Sequence, residues 1–192
     1  MAEQEFLKKL DIRCDIQKIR TVMEDVYELF GDDNVILVNS HAKSKIPLKD
    51  FSGWLPDDIN EDDFTTINKE FRDTVFEEFL HQLPFPYRRA RLMRLGKKTC
   101  LTIHNDTCLR YHLAIKTNPA CFLVQMDGRL GTFHHVPADG YLYEMDGTQN
   151  HTAINASKEE RIHLVISSTK FDHLEERRPE EFYSPEMTRL NP

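Results

Sequence analysis

Arg161-Ile162-His163-Leu164-Val165-Ile166-Ser167 places apolar side chains at 162, 164 and 166 and polar ones at 161, 163 and 167, the period of two of a strand with unlike faces. Working back toward the N-terminus, the same texture recurs at Arg89 to Leu95, Thr99 to Ile103, Arg110 to Thr117, Cys121 to Met126, Gly131 to Val136 and Tyr141 to Glu144. Gly, Asn, Asp and Pro punctuate these segments. Short strands at this spacing predict a mainly β fold, a double-sheet jelly roll (double-stranded β-helix, cupin-like).

The texture begins after Pro84-Phe85-Pro86, and what precedes it reads as a support. From Asp15 to Phe30, Ile16, Ile19, Val22, Met23, Val26 and Phe30 fall at helical spacing, with Gly31 as a stop. Val35-Ile36-Leu37-Val38 is a short buried strand, and Pro47 to Pro56 a loop holding the single tryptophan, Trp54. A second helix is predicted from about Asp62 to His81, with Phe64, Ile67, Phe71, Val75, Phe79 and Leu80 on its apolar side. The chain thus divides into N-terminal supporting α-helices and mixed structure over 1–86, a jelly-roll core over 87–170 and a charged, proline-punctuated extension over 171–192, all in one domain.

Composition narrows the classes. A chain of 192 residues, 40% hydrophobic and 30% charged, suits one domain with its own core. No apolar run approaches membrane-spanning length, and Met-Ala-Glu-Gln-Glu is too acidic for a signal peptide. Cys14, Cys100, Cys108 and Cys121 lack Cys-x-x-Cys spacing and fit reduced thiols in a cytoplasmic protein. A net charge of −7 argues against a nucleic-acid partner, since phosphate neutralisation needs clustered Lys and Arg. Arg88-Arg89-Ala90-Arg91 with Arg94 is a local basic strand, whereas Asp57-Asp58 and Glu61-Asp62-Asp63 read as solvated acidic patches.

Among the strands stands His104-Asn105-Asp106, followed by His151 and, ten residues later, Arg161. Side chains at i and i+2 of a strand share a face about 6.5 Å apart, so His104 and Asp106 can converge on one ion near a strand end. His151 would supply a third ligand from a turn beside the Arg161 strand. Two histidines and a carboxylate leave coordination positions open, the ligand set of non-haem Fe(II) oxygenases. A structural zinc site would be closed instead. The Arg161 guanidinium could hold a carboxylate through two parallel hydrogen bonds.

The combined pattern is more specific than its parts. Arg91-Leu92-Met93-Arg94-Leu95, His104-Asn105-Asp106, Arg110-Tyr111-His112-Leu113-Ala114-Ile115-Lys116-Thr117-Asn118-Pro119, His151-Thr152-Ala153-Ile154-Asn155 and Arg161-Ile162-His163-Leu164-Val165 together resemble the aspartyl/asparaginyl β-hydroxylase family of Fe(II)- and 2-oxoglutarate-dependent dioxygenases, which includes bacterial free-proline hydroxylases. The likeness spans about residues 88 to 168. It implies His104, Asp106 and His151 as catalytic Fe(II) ligands, with Arg110, His112 and Arg161 around 2-oxoglutarate and O2 as the second co-substrate. One departure is Gly96-Lys97-Lys98, where the family commonly has Pro-Gly before the first metal strand. The implied substrate is an aspartyl or asparaginyl side chain in a peptide or protein, or alternatively a free amino acid such as proline. A jelly-roll binding module without activity is disfavoured because all three ligands are present.

Other polar residues carry weaker expectations. Arg91, on a strand lining the barrel mouth, is a candidate for a substrate carboxylate. Of His134 and His135, only one can point inward. His163 is expected to face away from Arg161's partner, and Asn155 to serve a turn.

Overall fold

The computed structural model describes residues 5–169, so the extension expected over 171–192 lies outside the described residues. Twelve strands are present among them: β1 (Leu7–Arg13), β2 (Val35–Leu37), β3 (Asn39–Ser40), β4 (Thr66–Ile67), β5 (Tyr87–Leu95), β6 (Thr99–Cys100), β7 (Arg110–Lys116), β8 (Cys121–Asp127), β9 (Leu130–His134), β10 (Tyr141–Met145), β11 (His151–Asn155) and β12 (Arg161–Ser168). A six-stranded sheet in the order β1-β10-β7-β12-β5-β2 faces a four-stranded sheet in the order β6-β11-β8-β9, and β3 and β4 form a small hairpin-like pair. The named pairs are antiparallel. This is the two-sheet jelly roll that the strand spacing predicts.

Alternation along three central strands decides where the core sits. Ala90 and Leu92 of β5, Tyr111, Leu113 and Ile115 of β7, and Ile162, Leu164 and Ile166 of β12 project outward from the large sheet and pack with Ile19, Met23, Val26, Phe30, Phe71, Phe76, Phe79 and Leu80. The opposite faces of the same strands carry Arg89, Arg91, Arg110, His112, Arg161 and His163 toward the second sheet. A smaller apolar cluster of Phe6, Leu95, Ala114, Leu123, Val136, Tyr143, Met145 and Ala153 closes the rest of the interior. The main hydrophobic core therefore lies between sheet and helices, leaving the space between the sheets for polar chemistry.

The first helix, α1 (Ile16–Val26), follows the predicted periodicity; the Asp15 side chain caps it, a 3-10 turn extends it over Tyr27–Phe30, and Gly31 ends it at φ 50°. The second differs from expectation: only Val75–His81 is α-helical (α2). The aromatic residues at 64 and 71 and Ile67 do point into apolar clusters, but from a 3-10 turn, the short β4 and a loop. Asn68 donates to the Leu37 and Pro47 carbonyls, Asp73 takes φ 57°, and Thr74 starts the helix as its N-cap. Burial at helical spacing thus arises here without a continuous helix.

Three further differences concern strands. β1 is an edge strand with alternating charges, Leu7-Lys8-Lys9-Leu10-Asp11-Ile12-Arg13, and such mostly exposed edges carry little hydrophobic signal. The strand expected over Thr99 to Ile103 pairs formally only at Thr99–Cys100. His151 opens strand β11 instead of sitting on a turn, and β11 belongs to the four-stranded sheet while β12 belongs to the six-stranded one. Arg161 accordingly lies in the sheet opposite His151. Among the described residues no helix is long and apolar enough to cross a membrane.

Candidate active site

His104 and His151 meet across an antiparallel bridge, with His104 N–H donating to the His151 carbonyl (3.0 Å) and His151 N–H to the His104 carbonyl (2.8 Å). Directly opposed residues send their side chains to the same face, and the two imidazole centroids lie 4.4 Å apart. The bridge is isolated, so His104 and Asp106 do not share a regular strand as the spacing implied. Asp106 is instead fixed by its own N–H donating to Gly147 O (2.7 Å). Gly147 is needed for that approach: a Cβ there would stand 2.5 Å from Cys108 O and 3.2 Å from Asp106 Oδ2.

The three side chains bring one ligand atom each to within 4.8 Å of one another, and Asp106 Oδ2 lies 3.7 Å from His151 Nε2. Both histidines are oriented by backbone carbonyls: His104 Nδ1 faces Thr102 O and His151 Nδ1 faces Gln149 O, each at 2.8 Å. A carbonyl can only accept, so Nδ1 carries the proton and Nε2 keeps a bare lone pair, the tautomer a metal requires. The donor set fits a divalent ion with open positions.

Arg110 has a different setting from the one expected of a 2-oxoglutarate ligand. Its Nε and Nη2 donate to the two Asp106 oxygens (2.8 and 2.7 Å), while Nη1 meets Ser167 Oγ and lies 3.5 Å from Glu61 Oε2. A fork gripping both oxygens orients the Asp106 carboxylate, and it leaves Arg110 little capacity for another anion. Burial opposes the Asp106 charge, but Arg110 outweighs it and holds the carboxyl well below the usual range.

Glu61, read from sequence as part of a solvated patch, is a largely buried partner in this group, its side chain 12% exposed. Its Oε1 accepts from Arg89 Nη2 at 2.6 Å, and Arg110, Arg89 and Arg91 together overcome burial to lower its pKa. The acidic run gives no hint of this, because the partners lie in distant strands; Asn60, whose side chain accepts from Asp62 N, shapes the turn that presents Glu61. Alternating charges Arg89, Glu61, Arg110 and Asp106 thus extend to the histidine pair.

Two arginines of the same cavity are left without a carboxylate in these contacts. Arg161 is 2% exposed, with Nε and Nη1 lacking a hydrogen-bond partner among the described residues, and burial pulls its pKa down to about 10. Arg91 donates from Nη1 to Ser52 O at 3.3 Å, its Nε is unpartnered, and burial followed by repulsion from Arg89 and Arg110 brings it to about 9. His112 also lines the cavity with a buried, unpartnered Nε2, and burial then the Arg161 charge keep its ring neutral. Unmet cationic donors in a buried wall are costly unless an anion completes them, which is the fit a dicarboxylate co-substrate would provide.

His163 departs from the expectation that it faces away. It lies on the interior side of β12 with Arg161, and its Nδ1 is 3.4 Å from His112 Nδ1. His134 is packed on Phe6 at 5.0 Å, and His135 Nδ1 contacts Cys121 O. Asn155 is fully buried and organises the following turn, donating to Leu95, Gly96 and Glu159 carbonyls. In the Gly96-Lys97-Lys98 turn, the left-handed position is Lys98 (φ 51°).

A jelly roll with two histidines and a carboxylate at one end of an arginine-lined cavity is the architecture of a non-haem iron oxygenase. Residues 61–170 match the family described as aspartyl/asparaginyl beta-hydroxylase, and the chain belongs to that family. It is a dioxygenase that uses Fe(II), 2-oxoglutarate and O2. No curated protein matches it in sequence. Among solved structures it is similar to AviO1 from Streptomyces viridochromogenes Tue57 (14% identity, 85% of this chain and 89% of that one, TM-score 0.48). It is also similar to an oxidoreductase of the 2OG-Fe(II) oxygenase family from Burkholderia pseudomallei (18%, 48% and 47%, TM-score 0.37). A third is a cupin domain from Bordetella pertussis Tohama I (17%, 45% and 85%, TM-score 0.35).

Proposed function

We propose that this dioxygenase hydroxylates an aspartyl or asparaginyl side chain within a peptide or protein, with His104, Asp106 and His151 as the iron ligands. The observation that carries the substrate reading is the cavity: about 860 Å³, open to solvent, and lined in part by the loop 53–60, where Trp54 is 70% exposed. Drug-sized ligands occupy pockets of about 300–1,000 Å³, so there is room for a peptide segment beside the co-substrate. A free amino acid is the second reading, favoured by Arg91, whose unmatched guanidinium suits an α-carboxylate as well as an aspartyl one.

Bound Fe(II) supplies the oxidising step, in which 2-oxoglutarate and O2 yield succinate, CO2 and one oxygen atom inserted into a substrate C–H bond. The chain's own residues provide orientation and charge placement. His104 and His151 present Nε2, and Arg110, backed by Glu61 and Ser167, holds Asp106 ionised and correctly turned. Arg161 receives the distal carboxylate of 2-oxoglutarate, and His112 lies alongside as a neutral partner. Arg91 receives an acidic group of the substrate. Five arginines line the cavity, and Arg88, Arg89 and Arg110 are matched by Asp62, Glu61 and Asp106, which leaves Arg91 and Arg161 for ligands. With Arg161 assigned to the co-substrate, Arg91 is the buried cation left to favour an acidic group of the substrate.

The test is incubation with Fe(II), 2-oxoglutarate and O2 against a panel of Asp- and Asn-containing peptides and free amino acids, read by the mass of one added oxygen. Product on peptides supports the first reading, and product only on free amino acids replaces it with the second. Oxidation confined to nucleic acid would reject both.

A further inference from the structure

We infer that His163 is a positioning residue that fixes the tautomer of His112, so that His112 presents Nε2–H to an anionic group in the cavity. This rests on the proposal that the co-substrate carboxylate binds beside Arg161 and His112. Both rings are buried, 5% and 2% exposed, and their planes meet at 76° with Nδ1 facing Nδ1 at 3.4 Å. Both Nε2 atoms are buried without a partner among the described residues. Burial dominates for each, with the nearby Arg161 charge acting in the same direction, so both imidazoles are neutral and carry one proton apiece.

That proton count couples the two rings. A neutral imidazole has one N–H and one bare nitrogen, and an Nδ1···Nδ1 hydrogen bond needs one of each. If His163 donates, its Nε2 is bare and His112 carries Nε2–H. If His112 donates, its Nε2 is a bare lone pair and His163 carries Nε2–H. His112 lines the cavity and His163 does not. The second arrangement therefore traps an N–H in the wall where no ligand reaches it, and aims a lone pair at an incoming carboxylate. A buried orphan donor is the rarer and costlier defect, while an under-used acceptor is tolerated better. With an anion in the cavity to accept from His112 Nε2–H, the first arrangement leaves only the tolerated defect, a bare Nε2 on His163, and supplies a donor next to the Arg161 fork.

Imidazole ¹⁵N–¹H correlation spectra of ¹⁵N-histidine-labelled full-length protein, recorded with diamagnetic Zn(II) and 2-oxoglutarate added, read the tautomers directly, with His112 and His163 assigned from single variants. Protonated Nε2 on His112 and protonated Nδ1 on His163 are expected, and the reverse pattern overturns the inference. Affinity for 2-oxoglutarate by calorimetry on Mn(II)-loaded protein then separates tautomer control from packing. His163→Asn can keep an N–H donor near the Nδ1 position and should stay within a few-fold of the original. His163→Leu, of similar size, should lose about ten- to hundredfold, as for a hydrogen bond to a charged group. Equal losses in both variants, or none in the leucine variant, overturn the inference. If the unaltered protein fails to bind 2-oxoglutarate at all, the underlying co-substrate reading fails, while the spectra still decide the tautomers.

Discussion

Arg110 and Arg161 both project from central strands into one cavity, but their partners give them separable tasks. Arg161→Ala should weaken 2-oxoglutarate binding by about 2–5 kcal/mol, the cost of truncating one side of a desolvated charge pair, and leave metal binding nearly intact. Arg161→Lys should recover only part, because a point charge does not reproduce a fork. Arg110→Ala should act first on the metal, since it frees Asp106 to rotate and leaves Glu61 opposed by Arg89 without its second cation. Calorimetric titration of each variant, with metal and then with 2-oxoglutarate, separates the two; an Arg110 variant that loses only 2-oxoglutarate affinity would return Arg110 to the co-substrate. Gly147→Ala should also weaken metal binding, because its Cβ would displace the loop that holds Asp106.

Strand β12 joins the hydrophobic core to the cavity. Ile162, Leu164 and Ile166 enter the core shared with the helices, while Arg161 and Val165 on the opposite face line the cavity. Leu164→Ala should cost about 2–5 kcal/mol in denaturant unfolding, as for buried leucines generally, with metal stoichiometry unchanged in the folded fraction. An equal loss of metal stoichiometry there would contradict the division of faces. This alternation was legible in the sequence, as were α1 with its Gly31 stop and the three residues His104, Asp106 and His151 that the fold brings together. The bridge between His104 and His151 was not, because pairing partners far apart in sequence leave no local signature. Nor was Glu61, whose role depends on three arginines from other segments. The predicted second helix failed for a related reason: Phe64, Ile67 and Phe71 reach apolar clusters through turns shaped by Asn68 and Asp73, and periodicity alone does not distinguish the two routes.

For the whole molecule, a polar interior built on buried neutral histidines makes folding stability depend on pH. His163 faces Arg161 on its own strand, His112 on β7 and His135 beyond β9, and its pKa is held well below the usual value of about 6.5. Below that pH the unfolded chain binds a proton that the folded one refuses, so stability falls as pH falls, by up to about 1.4 kcal/mol per pH unit for each such histidine. Unfolding of chelator-treated protein between pH 7 and about 5 should show this slope, and His163→Asn should reduce it; an unchanged slope would remove His163 from the balance. The lowered pKa values of Asp106 and Glu61 act in a separate window, contributing stability above about pH 4 that is lost on further acidification. On the reading proposed above, the cluster of two histidines and one aspartate holds the iron on which the whole cavity is organised. Metal analysis of anaerobically Fe(II)-loaded protein tests it most directly: one iron per chain is expected, lost in both His104→Ala and His151→Ala, and full occupancy in both variants would contradict it.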